Sequence, residues 1–178
     1  MHNQETPSPW VQQHAHLVRP DASLLDVACG YGRHAKFFAA RGIHVTAVDR
    51  DAAALASLAG VVNLTTEVRD LENDPWPYAA DSFDAVLVCN YLWRPTMATL
   101  LDCIRPRGVL LYETFMDGNE KYGKPSRPDF LLRSEELVTH VALDFEIVDF
   151  KQGLERTPDG KIFAVKQKIA AIKKTQRP

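Results

Sequence analysis

The sequence predicts an α/β fold: a Rossmann-like three-layer sandwich around a seven-stranded, mostly parallel sheet that ends in an antiparallel hairpin. Three observations lead there. Apolar runs at 24–29, 43–48, 83–89 and 108–115 are nearly continuous rather than alternating, as strands covered on both faces require. Helix-like stretches separate these runs, which is the rhythm of parallel strands joined by crossovers. The last two strand-like segments, 145–150 and 161–172, are instead joined by Thr157-Pro158-Asp159-Gly160, a turn that reverses the chain.

The remaining elements follow in order. Residues 1–20 form a tail whose helix-like stretch 12–18 folds over the site as a lid, leaving 21–178 as a single domain. The segment 32–41 carries Ala35, Phe38 and Ala39 at helical spacing, and 51–58 is alanine-rich behind Asp51. A third strand covers 61–68. A helix over 94–104 starts around Pro95 in its first turn, and Ser134-Glu135-Glu136-Leu137 opens another with a serine cap.

Composition narrows the class. The chain has 178 residues, 46% of them hydrophobic, enough for one domain with a sizeable core. A net charge of -2 and a pI near 6.3 create no field that favours a phosphate backbone, so nucleic acid is not an expected partner. No apolar stretch is long enough to cross a bilayer, which argues against a membrane partner. The first seven residues lack the basic start and apolar core of a signal peptide. Cys29, Cys89 and Cys103 are odd in number, have no metal-ligand spacing, and read as small buried hydrophobes. A cytoplasmic location is therefore expected. His14 and His16, two apart, fall on different helix faces, so no metal is expected. Lys161, Lys166, Lys168, Lys173 and Lys174 read as protection of an edge strand rather than as an RNA-binding patch.

The chemistry concentrates at 24–34 and 43–49. A buried strand runs into a turn with Gly30 and Gly32, a helix follows, and the next strand ends at Asp49, a carboxylate suited to ribose hydroxyls. That is a nucleoside-cofactor pocket. Gly30-x-Gly32-x-x-Ala35 also satisfies the dinucleotide fingerprint, so an NAD-dependent oxidoreductase is a rival. Against it stand Asp26 inside the first strand, a second acidic position at Asp70, and little room for a substrate domain. Gly118-x-x-x-x-Gly123-Lys124 approaches a phosphate loop, but Pro125 replaces the hydroxyl residue and Pro128 opposes a helix.

Leu-Asp-Val-Ala-Cys-Gly-Tyr-Gly at 25–32, Val-Asp at 48–49, Arg-Asp-Leu at 69–71 and Phe-Asp-Ala-Val at 83–86 together resemble the class I S-adenosylmethionine-dependent methyltransferases. The resemblance runs over roughly residues 20–172. Within that group, Ala-Cys-Gly-x-Gly-Arg-His and the small size look most like the bacterial tellurite-resistance type. The resemblance implies S-adenosylmethionine as cofactor. It gives Asp26 the amine or the ordering of the loop, Gly30 and Gly32 the close backbone approach, and Asp49 the ribose. Asp70 and the Leu71 amide would face adenine and Asn90 the methionyl part, with Ala28, Arg33 and Arg50 completing the cofactor set. Arg33 or His34 would reach the cofactor carboxylate, though a solvated helix face suits His34 equally.

Ligands in open α/β sheets bind beyond the carboxyl ends of the strands, so the acceptor is expected among Asn90, Tyr91, Trp93, Glu113 and the long loop 116–130, with Asn119 and Tyr122. Phe130-Leu131-Leu132 would anchor that loop. Glu113 is the candidate base, Tyr112 and Tyr91 the orienting groups, and Trp10 a stacking residue of the lid. Methyl transfer needs positioning and exclusion of water more than a base. The expected acceptor is a small molecule or soft anion. A non-catalytic, cofactor-binding scaffold is the alternative.

Overall fold

A computed structural model describes residues 5–175; residues 1–4 of the expected tail and 176–178 lie outside the described residues. Its centre is a seven-stranded sheet of order β3-β2-β1-β4-β5-β7-β6. The strands are β1 (Ser23–Val27), β2 (His44–Asp49), β3 (Leu64–Val68), β4 (Phe83–Cys89), β5 (Ile104–Phe115), β6 (Phe145–Arg156) and β7 (Ile162–Lys173). The first five pair in parallel, and β7 is antiparallel to both β5 and β6.

Alternate residues along each strand feed two cores. Leu25, Val27, Val86, Val88, Leu110 and Ile169 pack under α4 (Met97–Asp102) and α5 (Glu136–Val141). Leu24, Val45, Ala47, Leu87, Leu111 and Ala170 pack under α1 (Pro9–His14), α2 (Arg33–Ala39) and α3 (Ala52–Ala56). Burial on both faces is what made the central strands read as continuous apolar runs.

Local chemistry sets several boundaries. Asp51 caps α3, its carboxylate accepting from the amides of Ala53 and Ala54. β5 starts four residues before the expected Gly108, because the β4 pairing shifts register between Phe83 and Ala85. Gly108 sits where a Cβ would lie 2.7 Å from the Arg105 carbonyl oxygen and 2.9 Å from that of Asp84, so only glycine fits.

Three expectations are corrected. Ser134 does not cap α5: its hydroxyl accepts from Gln152 Nε2, and the N-cap is Glu135 at φ 57°. The lysine-bearing β7 is an interior strand, and β6 is the edge. Its lysines therefore serve separate contacts: Lys168 pairs with Glu155 at 2.8 Å, and Lys173 is buried with Nζ 2.6 Å from the Ile104 carbonyl. The third strand begins at Leu64 rather than 61, after a turn through Asn63 at φ 61°.

Candidate functional site

The strand order reverses between β1 and β4, and the crevice at their carboxyl ends is where an open α/β sheet holds ligands. Two adjoining cavities lie there, sharing Ala28. One of about 200 Å³ is lined by Ala28, Asp49, Arg50, Arg69, Asp70, Leu71, Glu72 and Tyr91. The other, about 330 Å³, has Asp26, Gly30, Arg33, His34, Cys89 and Asn90 in its walls. Backbone strain collects at their junction. Ala28 at φ 52° and Asn90 at φ 60° follow β1 and β4, in a conformation L residues rarely adopt.

The glycine turn divides its labour. Gly30, at φ 55°, has open space where a Cβ would stand, so the backbone faces the cavity bare. Gly32, at φ 67°, packs so closely that a Cβ would meet Leu58 at 2.6 Å. Asp49 anchors the turn, accepting from the Gly30 amide at 2.8 Å through one oxygen and from the Asp51 amide at 2.9 Å through the other. Each oxygen keeps a second lone pair for a ligand. Asp70 is ligated within its own loop, by the Glu72 amide at 3.0 Å and Asn73 Nδ2 at 2.8 Å. These bonds hold its carboxyl below the usual range, and Asp70 and Leu71 both line the smaller cavity.

Asp26 is different in kind. It is 1% exposed, its Oδ2 has no partner, and it lines the larger cavity. Burial pushes its carboxyl up to about 7, although the Ala35 amide and Arg33 pull the other way. A buried carboxylate oxygen without a partner, on a residue that lines a cavity, is suited to a cationic ligand group.

Residues 24–108 match the methyltransferase domain family. With that match on the switch-point crevice, the chain has the fold of the class I S-adenosylmethionine-dependent methyltransferases. TehB from Haemophilus influenzae shares 18% identity with a TM-score of 0.78, over 97% of this chain and 64% of that one; the present chain thus spans less than two thirds of that structure's length. A Burkholderia thailandensis 1,6-didemethyltoxoflavin-N1-methyltransferase, solved with its substrate and S-adenosylhomocysteine, gives 22% and 0.66 over 97% and 80%. The [4+2]-cyclase SpnF gives 17% and 0.69 over 94% and 79%. No curated protein sequence matches the chain.

On the acceptor side of the methyltransferase fold, several expected residues have structural duties. Glu113 is 3% exposed and accepts from Ser8 Oγ at 2.8 Å and Cys89 Sγ at 3.0 Å, with Lys166 Nζ 3.5 Å away. Burial alone would raise its carboxyl, but Lys166, Cys89 and Ser8 outweigh it and hold the group low. A committed, ionised carboxylate is an anchor for the chain's start, not a free base. Tyr112 lies in the core, its hydroxyl donating to the Tyr91 carbonyl at 2.9 Å, so it cannot orient an acceptor. Tyr91 itself faces the smaller cavity, away from the expected acceptor end. Trp10 is buried against the sheet, Nε1 3.4 Å from the Ile169 carbonyl, so it does not stack in the cleft. Asn119 is buried too, accepting from the Val165 amide and donating to the Pro125 carbonyl, which staples the long loop to β7. Trp93 is half-buried and precedes the turn into α4, while Tyr122 is 40% exposed. Leu131 and Leu132 are buried and anchor the loop as expected.

Other residues make contacts around this end of the sheet. The stretch at Ser8 is tied to a wall residue of the larger cavity: the Ser8 amide donates to His34 Nε2 at 3.2 Å, and the Ser8 hydroxyl caps α1 by accepting from the Val11 amide. His34 is therefore buried and not a solvated helix-face residue; burial and neighbouring Arg33 pull it down to about 4, leaving it a neutral acceptor. Lys166 bonds Asn90 Oδ1 at 2.6 Å and sits over the Phe115 ring. Arg94 grips Glu136 through two nitrogens at 2.6 and 2.8 Å and the carbonyls of Asp129 and Leu131, tying the long loop to α5. Asp-x-x-x-Gly spacing found Asp26; nothing local in sequence marks these long-range contacts of Ser8, Lys166 or Arg94.

Proposed function

We propose that this chain is an S-adenosylmethionine-dependent methyltransferase acting on a small molecule, working in the cytoplasm, where its free thiols are at home. The single observation that carries the reading is Asp26 Oδ2, a buried acceptor without a partner at the wall of the larger cavity. The residues present suit the cofactor. Asp26 receives the methionyl amine, Arg33 and Asn90 stand at the same cavity for the rest of that part, Asp49 takes the ribose hydroxyls, and the Asp70–Leu71 turn borders the base.

When bound, the cofactor supplies a methyl group on a sulfonium that needs no further activation. The chain's own work is then to position and to exclude water. Gly30 lets the backbone approach, and the stretch through Ser8 is fixed on Glu113 and on His34, a residue of the larger cavity's wall. With Glu113 committed, the acceptor is one that reacts without a dedicated base. The commitment of Glu113, Tyr112 and Asn119 to structure also favours, as a second reading, a scaffold that binds the cofactor without turning it over.

Isothermal titration with S-adenosylhomocysteine and with NADH tests the reading. Micromolar binding of the thioether alone is expected, weakened at least about tenfold, or 1.4 kcal/mol, in Asp49→Ala. Binding of NADH instead would support the oxidoreductase. Methyl transfer to any member of a small-molecule acceptor panel would exclude the scaffold.

A further inference from the structure

A further cavity lies at the opposite end of the sheet from the switch-point crevice. Its volume of about 520 Å³ is close to that of the two crevice cavities combined. Ala22 precedes β1, Asp84 is the second residue of β4, and Val109 is where β5 rejoins β4, so the amino ends of three parallel strands meet at its wall.

An irregularity in β5 makes the charged part of that wall. Phe83 pairs with Ile104 and Ala85 with Val109, so Arg105, Pro106, Arg107 and Gly108 stand opposite Asp84 alone. Such a bulge gives up ladder bonds and re-aims side chains. It also holds Arg107 at φ 66°, a left-handed conformation that costs an arginine more than a glycine or asparagine. Asp84 accepts from Arg19 Nη2 at 2.8 Å through one oxygen and pairs with Arg105 Nη1 at 3.2 Å through the other, while Ser23 Oγ accepts from the same Arg105 nitrogen at 2.9 Å.

Two guanidiniums thus share one carboxylate, and Arg107 has no ion pair among the described residues. In a chain of net charge -2, this wall carries two positive charges in excess. The Arg19 and Arg105 side chains are 72% and 43% exposed, so their remaining N–H groups are open to a ligand. A network that only tied β1, β4 and β5 together would use Arg19, Arg105 and Asp84, but neither Arg107 nor the cavity.

We propose that this cavity is a second ligand site, for a small organic phosphate whose apolar body lies against Leu17, Val18, Pro106 and Val109 and whose dianionic head meets the arginines. A concave, largely apolar wall with a few charged groups is the usual make-up of a small-molecule site. Planar guanidinium forks match phosphate oxygens, and a phosphate monoester near pH 7 carries close to the two negative charges that the wall lacks. The inference is independent of the cofactor reading.

Calorimetric titration with phenyl phosphate at neutral pH and low salt tests it. Wild type should bind one molecule per chain, and S-adenosylhomocysteine should not displace it. Phenol and inorganic phosphate, each half of the probe, and the singly charged benzoate should bind at least about tenfold more weakly. Arg107→Asn suits the left-handed backbone, so it should melt at or above the wild-type temperature and treat S-adenosylhomocysteine as wild type does, yet lose at least about tenfold in affinity for phenyl phosphate. No saturable binding by wild type, displacement by S-adenosylhomocysteine, or Arg107→Asn affinity within about twofold of wild type would each overturn the site. Inorganic phosphate binding as tightly as phenyl phosphate would overturn the apolar half of the assignment.

Discussion

Asp26 and Glu113 are both almost excluded from water, at 1% and 3% exposure, near the same end of the sheet, yet the fold treats them oppositely. Around Glu113 it places a hydroxyl, a thiol and an ammonium, so the carboxyl stays ionised below its usual range. Asp26 lines the larger cavity with one oxygen left without a donor, and burial raises the group to about 7. Burial alone does not mark a functional carboxylate. What distinguishes a ligand site from an anchor is which acceptors remain unsatisfied.

Removing each carboxylate should therefore have opposite signatures. Glu113→Ala deletes the anchor and strands Ser8 Oγ and Cys89, so unfolding free energy should fall by about 3 kcal/mol. Glu113→Gln keeps an acceptor for Ser8 and should lose less. Urea denaturation measures both, and a Glu113→Ala variant as stable as wild type would remove the contrast. If Glu113 were instead the base, Glu113→Gln would bind S-adenosylhomocysteine and fold normally but lose turnover entirely.

Asp26→Asn should do the reverse, weakening S-adenosylhomocysteine by about tenfold to a hundredfold, as expected for loss of a hydrogen bond to a charged group, while raising the melting temperature at pH 8. The sign follows from linkage. An unfolded aspartate titrates near 3.9 and the buried one at about 7, so its favourable share of stability is present below about pH 4 and is lost as pH rises through 7. Asparagine has no charge to bury. For the same reason wild-type affinity for a cationic amine should rise between pH 5.5 and 7.5, by at most about tenfold per unit, and the variant's should stay flat. A flat wild-type profile would mean that Asp26 does not meet the amine.

How much of this was legible follows the sequence distance of each contact. β1, β2, β4 and the glycine turn announce themselves locally, because continuous burial leaves an apolar run and a tight turn demands glycine. Asp26, Asp49 and Asp70 lie close to those signals and fall in the crevice as expected. The acceptor side was misread because its bonds join remote residues: Ser8 to Glu113 across 105 positions, Trp10 to Ile169 across 159, Asn90 to Lys166 across 76. A serine before a proline reads as a helix cap, which Ser8 is, but no local pattern shows that the same hydroxyl also satisfies a buried carboxylate. The lysines of β7 were misjudged similarly, since edge or interior depends on whether β6 or β7 docks beside β5.

The smallest of the expected effects bears most directly on the anchor. In Ser8→Ala the amide of Ser8 still donates to His34 Nε2, but the cap on the Val11 amide and the donor to Glu113 both vanish. Loss of a cap costs about 1 kcal/mol, and Glu113 keeps Cys89 and Lys166, so the total should stay below about 2 kcal/mol. Hydrogen exchange should localise it, with α1 amides exchanging faster and those of β1 and β4 unchanged. Acid should reproduce the release in wild type. His34 accepts only when neutral, and its value of about 4 lies below the unfolded 6.5, so its contribution is full above 6.5 and lost as pH falls through 4. If α1 exchange stayed at the wild-type rate in Ser8→Ala at pH 7, the stretch through Ser8 would be held by α1 packing alone, and Glu113 would be buried for some purpose other than holding it.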